Sequence, residues 1–211
     1  MYVELNNLNK SHYLYQMSNC VIETDQDYIK LSDKNDVTLY MLKENDKAKF
    51  RLSFQLINDN YDLNNAIGFK IFALMAELNK DVIQSVVLSP YDENTREIDM
   101  GLLFCRFGAE FGLAQKYIYS HSSMENKDNK TIIITEQKEK PNNFAVPSNT
   151  ESAIGSASIL ELEMITCHSC NVVYNFVLDL EDDLPLYMEK MPGKLMHKVF
   201  SRLKTFIESL V

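Results

Sequence analysis

Strict alternation of apolar and polar residues predicts a strand over residues 47–56. Apolar side chains fall on one face of this segment, and charged or polar side chains fall on the other. A period of two over this length is typical of a half-buried strand in an antiparallel sheet. Two shorter apolar runs, at 28–31 and 37–42, are separated by the turn-forming cluster Asp33–Asp36, so they predict a hairpin that precedes this strand.

Helical periodicity appears in three places. Apolar residues at spacings of three and four follow Asp62 and Asn64, either of which could cap a helix that ends near Asn79. Residues 97–104 predict a strand. The spacing of the apolar residues that follow predicts a helix from about 109 to 119, although three glycines in this region disfavour a helix. The most regular pattern covers residues 194–210, with one apolar stripe: Leu195, Met196, Val199, Leu203, Phe206, Ile207 and Leu210.

The remaining segments complete an α+β pattern. Residues 120–130 predict a polar loop, and 139–157 predict a flexible internal loop because prolines and many Asn, Ser and Glu residues fall there. Short apolar runs predict further strands at 2–5, 13–15, 82–88, 131–135, 159–165 and 172–180. The order of elements predicts a single domain over 1–211, with a largely antiparallel sheet, two or three helices packed on one face and a C-terminal amphipathic helix.

Composition excludes several classes of protein. Apolar residues make up 45% of the chain, which argues against wholesale disorder. The net charge of −9 argues against nucleic-acid binding through general positive charge. The sequence lacks an apolar run of about 20 residues, so we expect no membrane insertion. The N-terminal residues lack a secretory signal pattern and the cysteines are sparse, which predicts a cytoplasmic protein with reduced thiols.

The Cys167-His-Ser-Cys170 segment is the one local motif that could carry chemistry. A turn with two cysteines between two predicted strands could supply half of a zinc site. A structural zinc site, however, needs four ligands. A redox motif needs a helix after the first cysteine, and a strand is predicted there instead. A structural turn is the third interpretation. We therefore predict no cofactor and no metal, with Cys167 and Cys170 as the candidate ligands if a metal does bind.

Other candidate chemistry is dispersed. His121 lies among serines, but the sequence has no nucleophile elbow, no phosphate-binding loop and no dinucleotide fingerprint. The acidic run 179–183 is typical of a solvated turn. Lys47, Lys49 and Arg51 form a basic row on the polar face of the predicted strand, either as protection of an exposed strand or as a docking site for an acidic partner.

By elimination, the sequence predicts a non-catalytic protein-interaction subunit that acts as an adaptor or a chaperone-like component of a larger assembly. Its size, charge and class are those of chaperones and adaptors of bacterial secretion systems. The expected partner is another protein or a second copy of the chain, bound by the terminal helix through Leu195, Val199, Leu203, Phe206 and Leu210.

Two alternatives stay open at this stage. One is an enzyme whose active site is dispersed, with His121, Cys167, His168 and Cys170 as candidates. The other is a viral protein that engages a host factor. If the terminal helix docks a partner, Leu203→Asp abolishes binding and leaves the chain folded, whereas unfolding of that variant shows that the stripe is core.

Overall fold

The computed structural model describes six stretches of the chain: residues 28–44, 47–91, 93–109, 112–153, 157–177 and 189–211. The strands predicted at 2–5 and 13–15, the end of the strand predicted at 172–180 and the acidic run 179–183 lie outside these residues.

The described residues form one ten-stranded sheet and two α-helices. The strands are β1 (Ile29–Lys34), β2 (Val37–Glu44), β3 (Lys47–Ile57), β4 (Ile83–Leu88), β5 (Glu97–Phe104), β6 (Gln115–Lys127), β7 (Lys130–Gln137), β8 (Thr150–Ser152), β9 (Ala157–Thr166) and β10 (Ser169–Val177). The helices are α1 (Lys70–Leu78) and α2 (Met191–Glu208), and a 3₁₀ turn at Leu63–Asn65 precedes α1.

The sheet confirms the predicted α+β class and its largely antiparallel pairing. Its strand order is β1-β2-β3-β10-β9-β7-β6-β5-β4, and the short β8 pairs in parallel with β6. The C-terminal amphipathic helix is confirmed as α2. The predicted layer of two or three helices on one face is corrected, because the sheet dominates the described chain and only α1 and α2 accompany it.

The predicted first hairpin and the alternating strand are both confirmed. Asn35 and Asp36 take positive φ angles of 56° and 54°, which suit a two-residue hairpin turn. On β3 the apolar face lies in the core: Phe50, Leu52, Phe54 and Leu56 are at most 8% exposed. Because β2 and β10 flank β3 on either side, the basic row is not on an edge strand. Arg51 there donates to Asn175 and lies over the Tyr28 ring.

The helix predicted at 109–119 is wrong. Gly108 and Gly112 have φ angles of 69° and 79°, which break helical geometry, and β6 already begins at Gln115. Ala114, one of the helically spaced residues, lines a cavity from the irregular loop before β6, as described below.

The polar loop predicted at 120–130 is also wrong. Residues 115–127 form the long strand β6, and the turn is confined to Asp128 and Asn129 before β7. Ser120 and Ser122 are 1% and 0% exposed, so they face the interior. Hydroxyl side chains at inward positions hid the alternation that identifies a strand.

The long segment predicted as a flexible loop contains little regular structure apart from β8. Phe144 within it is buried, and its ring lies directly over Gly101 of β5, where a side chain would clash with it. Tyr117 and Tyr119 of β6 also contact the Phe144 ring. This ring therefore anchors the middle of the segment to the sheet. Flexibility of 139–157 stays a prediction.

The core lies between α2 and the sheet. Val199, Phe200, Leu203 and Ile207 of α2 are each at most 1% exposed. The Phe200 ring packs on Tyr174 of β10, with ring centroids 4.7 Å apart. At the start of α2, a Cβ on Gly193 would lie 2.5 Å from the Phe50 ring, so the lack of a side chain allows the helix to approach β3 closely.

The sheet curls around α2. In the strand order, β10 and β5 are four positions apart, which is about 19 Å on a flat sheet. Yet Phe176 of β10 and Met100 of β5 line a single cavity of only about 80 Å³. The concave face of the sheet therefore encloses the space that α2 covers.

Candidate functional site

The inner cavity lies between α2, α1 and the concave face of the sheet. Its volume is about 80 Å³, and apolar side chains form most of its wall. These include two aromatic residues and several flexible or branched chains: Met75, Met100, Phe104, Ile118, Phe176 and Met196. The polar groups on the wall are hydroxyls, from Ser120, Thr135, Ser158 and Tyr174. No described residue on this wall carries a charge.

The outer cavity lies between the first turns of α2 and the loop that joins β5 to β6. Its volume is about 60 Å³. Phe107 and Leu113 line it from the loop, and Pro192 and Leu195 line it from the helix. The Gly108 and Gly112 turns fold this loop so that its apolar side chains point toward α2.

Phe104 and Met196 line both cavities, so these two side chains form the partition between them. The partition contains one unbranched thioether with three rotatable bonds, which adapts to a changed space more readily than a branched side chain. Rotation of Met196 alone alters the wall of both cavities. The arrangement is therefore an apolar interior in two compartments, with the start of α2 on one side of both.

Polar contacts hold α2 in its C-terminal two thirds. Asp81, which lies just before β4, pairs with both Lys198 and Arg202. His197 contacts the Val37 carbonyl oxygen at 2.9 Å. Asn58 donates to the carbonyl oxygens of Ile207 and Leu210 and so satisfies the helix end. At the other end, Glu189 just before α2 pairs with Lys43, and residues 191–196 contribute apolar contacts to the two cavities.

We expect Asp81→Asn to lower the melting temperature at neutral pH. Hydrogen bonds from Arg202 and Lys198 hold the pKa of Asp81 well below its usual range, so the ionised carboxylate is favoured in the folded state. A depressed pKa gives stability above the unfolded pKa, and that stability is lost as the pH falls through the folded value. The difference in melting temperature between Asp81→Asn and the wild type therefore becomes smaller at acidic pH. Thermal unfolding across a pH series measures it.

Asp59→Asn is the matched control for this prediction. Asp59 is an exposed carboxylate that takes part in no ion pair within the described residues. An Asp81→Asn melting curve that matches the wild type at neutral pH would show that the pairs with Lys198 and Arg202 do not hold α2.

A separate surface groove lies on the far side of α1. It encloses about 590 Å³ and is open to solvent. Ile67 and Phe69 contribute apolar surface, while Asn64, Lys70 and Ser89 contribute polar surface. This groove is larger but more polar than the two interior cavities, so it offers an apolar ligand a less favourable surface.

His121 lies on the outer face of the sheet and not in the interior. Its Nδ1 is 2.8 Å from Asp99 Oδ1, and Lys138 Nζ is 2.7 Å from the other oxygen of that carboxylate. Burial acts to raise the pKa of Asp99, but the hydrogen bonds from Lys138 and His121 outweigh it and leave the pKa below its usual value. This cluster is an ion-paired surface patch.

The Cys167–Cys170 segment forms the tight turn between β9 and β10, as predicted. His168 Nδ1 lies 3.0 Å from the Asn58 carbonyl oxygen and 3.1 Å from that of Tyr61, so Nδ1 carries the proton. The turn thereby fixes the segment between β3 and α1. Cys167 is exposed, Cys170 is buried, and both are free thiols. Burial raises the pKa of Cys170 to about 11, which keeps the thiol protonated.

The structure does not bring the candidate catalytic residues together. His121 pairs across β7 with the start of β9, whereas His168 follows the end of β9, a separation of about 30 Å along that strand. Within the described residues, no group of three or more His, Cys, Asp or Glu side chains is placed to hold a metal ion. In the same part of the chain, no helix is long and apolar enough to cross a membrane.

The residues predicted to bind a partner occupy different environments. Val199 and Leu203 are in the core, and Leu195 lines the outer cavity. Phe206 packs against the core, and Leu210 is half-buried at the helix end. Their docking role stays a prediction. Sequence reasoning missed the site residues Met100, Phe104, Ser120 and Thr135, which come from three different strands and form no local motif.

Comparison with known proteins identifies the fold. Human StAR-related lipid transfer protein 5 superposes with a TM-score of 0.70 at 8% identity, covering 95% of this chain and 96% of that one. Human STARD10 superposes with a TM-score of 0.68 at 10% identity, and the match covers 91% of this chain and 77% of that one. A STAR-related lipid transfer protein from Xanthomonas axonopodis superposes with a TM-score of 0.67 at 9% identity, and the match covers 87% of this chain and 99% of that one. The chain has the fold of the StAR-related lipid-transfer domains.

Sequence comparison does not reach this relationship, because no family model and no curated protein matches the chain. The prediction of an adaptor or chaperone-like interaction subunit is wrong, since the solved structures that share this fold are lipid-transfer proteins. The physical reason is that much of the apolar stripe on α2 covers an interior rather than a partner. The enzymatic and viral alternatives gain no support from the fold.

Proposed function

We propose that the protein binds a lipid or a similar hydrophobic ligand between α2 and the concave face of the sheet. The observation that carries this proposal is the pair of adjoining apolar cavities, separated by Phe104 and Met196. Two of the solved structures that share the fold, human StAR-related lipid transfer protein 5 and the Xanthomonas axonopodis protein, are named as lipid-transfer proteins, which supports the same ligand class. Transfer of the ligand between membranes is the activity that we infer from them.

The ligand enlarges the space that it occupies. Binding sites for small molecules usually enclose about 300–1,000 Å³, and each interior cavity is well below that range. Displacement of Met196 joins the two cavities, and displacement of the first turns of α2 opens them to the surface. Because residues of the first turns of α2 and of the β5–β6 loop line the outer cavity, the ligand passes between them.

The free thiols of Cys105, Cys167 and Cys170 accord with a reducing compartment, so a cytoplasmic location is part of the proposal. An intracellular lipid-binding protein of this kind protects an apolar ligand from water while it crosses an aqueous space.

Saturable binding of a pyrene-labelled hydrocarbon chain tests the proposal. The sequence has no tryptophan, so the probe emission is read without overlap from the protein. We expect fluorescence anisotropy to rise and to saturate at one probe per chain, and unlabelled lipid to displace the probe. Anisotropy that never saturates, or that no lipid reverses, would contradict an interior site.

A further inference from the structure

The concave face carries a row of hydroxyl side chains across three neighbouring strands. Ser158 of β9 pairs with Thr135 of β7, which in turn pairs with Ser122 of β6. Directly paired residues of an antiparallel sheet share a face, with Cβ atoms about 4.5–5.5 Å apart. Phe176 and Ile98 continue the row on either side and are buried. The hydroxyls therefore form a polar strip within an apolar interior.

The hydroxyls bond partly to one another. Ser122 Oγ and Thr135 Oγ1 are 2.9 Å apart, and Ser158 lies close enough to the Tyr174 hydroxyl to act against the rise in its pKa that burial causes. Ser120, in the next row of the same face, reaches only the Met100 carbonyl oxygen, at a long 3.4 Å. Each hydroxyl offers one donor and two acceptor positions, so these contacts leave hydrogen-bonding capacity on the cavity wall.

We propose that the ligand is an uncharged lipid whose hydroxyl or carbonyl group hydrogen-bonds this hydroxyl strip, through Ser120, Thr135, Ser158 and Tyr174. This inference rests on the proposed function and specifies its ligand class. A carboxylate or phosphate at the hydroxyl strip would lose its hydration without gaining a counter-charge, which is strongly unfavourable. Lys116, which lines the adjoining outer cavity, is already paired with Glu151. A ligand with no polar group would leave the hydroxyls without a new partner.

Three ligands with the same chain length separate these possibilities: oleyl alcohol, oleate and octadecene. Each is delivered from cyclodextrin at alkaline pH, where oleate is ionised, and its affinity is read by displacement of the pyrene hydrocarbon probe. We expect oleyl alcohol to bind at least about tenfold more tightly than oleate, which is about 1.4 kcal/mol, and severalfold more tightly than octadecene.

Two variants assign the effect to the hydroxyl strip. Thr135→Val keeps the shape and removes the hydroxyl, so we expect the preference of this variant for oleyl alcohol over octadecene to disappear. Ser120→Ala is the second variant, in case loss of the Thr135–Ser122 bond prevents folding. Thr38→Val is the matched control, because Thr38 lies on the outer face of β2, where its hydroxyl contacts Asp33.

The possible outcomes distinguish this inference from the proposed function. Equal affinities for the alcohol and octadecene, unchanged by Thr135→Val, would overturn the hydroxyl strip as a ligand contact while the lipid site stands. Oleate that binds as tightly as the alcohol would overturn the uncharged class. Failure of all three ligands to displace the probe would overturn this inference, and failure of the probe itself to bind would overturn the proposed function as well.

Discussion

Leu203→Asp is expected to unfold the protein. Leu203 is 1% exposed between α2 and the sheet. Removal of a buried leucine side chain alone costs about 2–5 kcal/mol, and an unpaired carboxylate in the same place adds a desolvation penalty. A loss of about 5 kcal/mol or more is comparable with the whole stability of many domains. Circular dichroism and thermal unfolding of the purified variant measure this effect.

Thr205→Asp is the control on the same helix, because Thr205 is exposed. We expect it to change the free energy of unfolding by less than about 0.5 kcal/mol. A Leu203→Asp variant that keeps the melting temperature of the wild type would contradict the packing of α2 described above. It would also restore the surface role that the sequence predicts for the stripe.

Met196→Trp is expected to abolish ligand binding in a protein that still folds. The indole is larger than the thioether and sits where the two cavities meet, so it fills space in both. Overpacking of this kind typically costs about 1–3 kcal/mol of stability. The affinity for the pyrene probe should fall at least about tenfold, or about 1.4 kcal/mol. Titration of the probe into the variant measures the loss.

Met124→Trp is the matched control, because Met124 lines the separate surface groove. Its affinity for the probe should equal that of the wild type. Met196→Ala should raise the affinity for the probe, because it removes the side chain that separates the two cavities and so joins them. A Met196→Trp variant with full affinity, or a Met124→Trp variant that loses it, would place the ligand outside the interior.

The parts of the fold that the sequence predicts are those with strict periodicity. β3 alternates without exception because one face packs in the core and the other carries polar side chains. The stripe on α2 is regular because the helix lies along the concave face for most of its length. In both elements all residues of one face share the same buried environment, so the apolar residues recur at regular positions in the sequence.

The errors fall where the chain meets the interior cavities. Phe107 and Ala114 follow a helical spacing although they belong to a loop, and both line the outer cavity. Ser120 and Ser122 resemble loop residues because their hydroxyls face inward from a strand. Local preference and final environment disagree at these positions, which is common where a protein binds a ligand.

The candidate site itself has no local signature. Its wall combines side chains from six strands and both helices, and each of these residues has an ordinary structural interpretation in isolation. One available signal was the 120–127 segment, where hydroxyls occupy alternate positions next to a long strand pattern. A second was the terminal helix, whose apolar stripe exceeds what a partner surface needs and matches a cover for a curved sheet.

Methyl resonances of the methionines test the central claim most directly. Met75, Met100 and Met196 line the inner cavity, Met124 lines the surface groove, and Met41 is buried under β2 away from both. With ¹³C-methyl methionine, oleyl alcohol should shift the signals of Met75, Met100 and Met196 and leave Met124 and Met41 unchanged. Shifts confined to Met124, or no shift at saturating ligand, would contradict an interior lipid site.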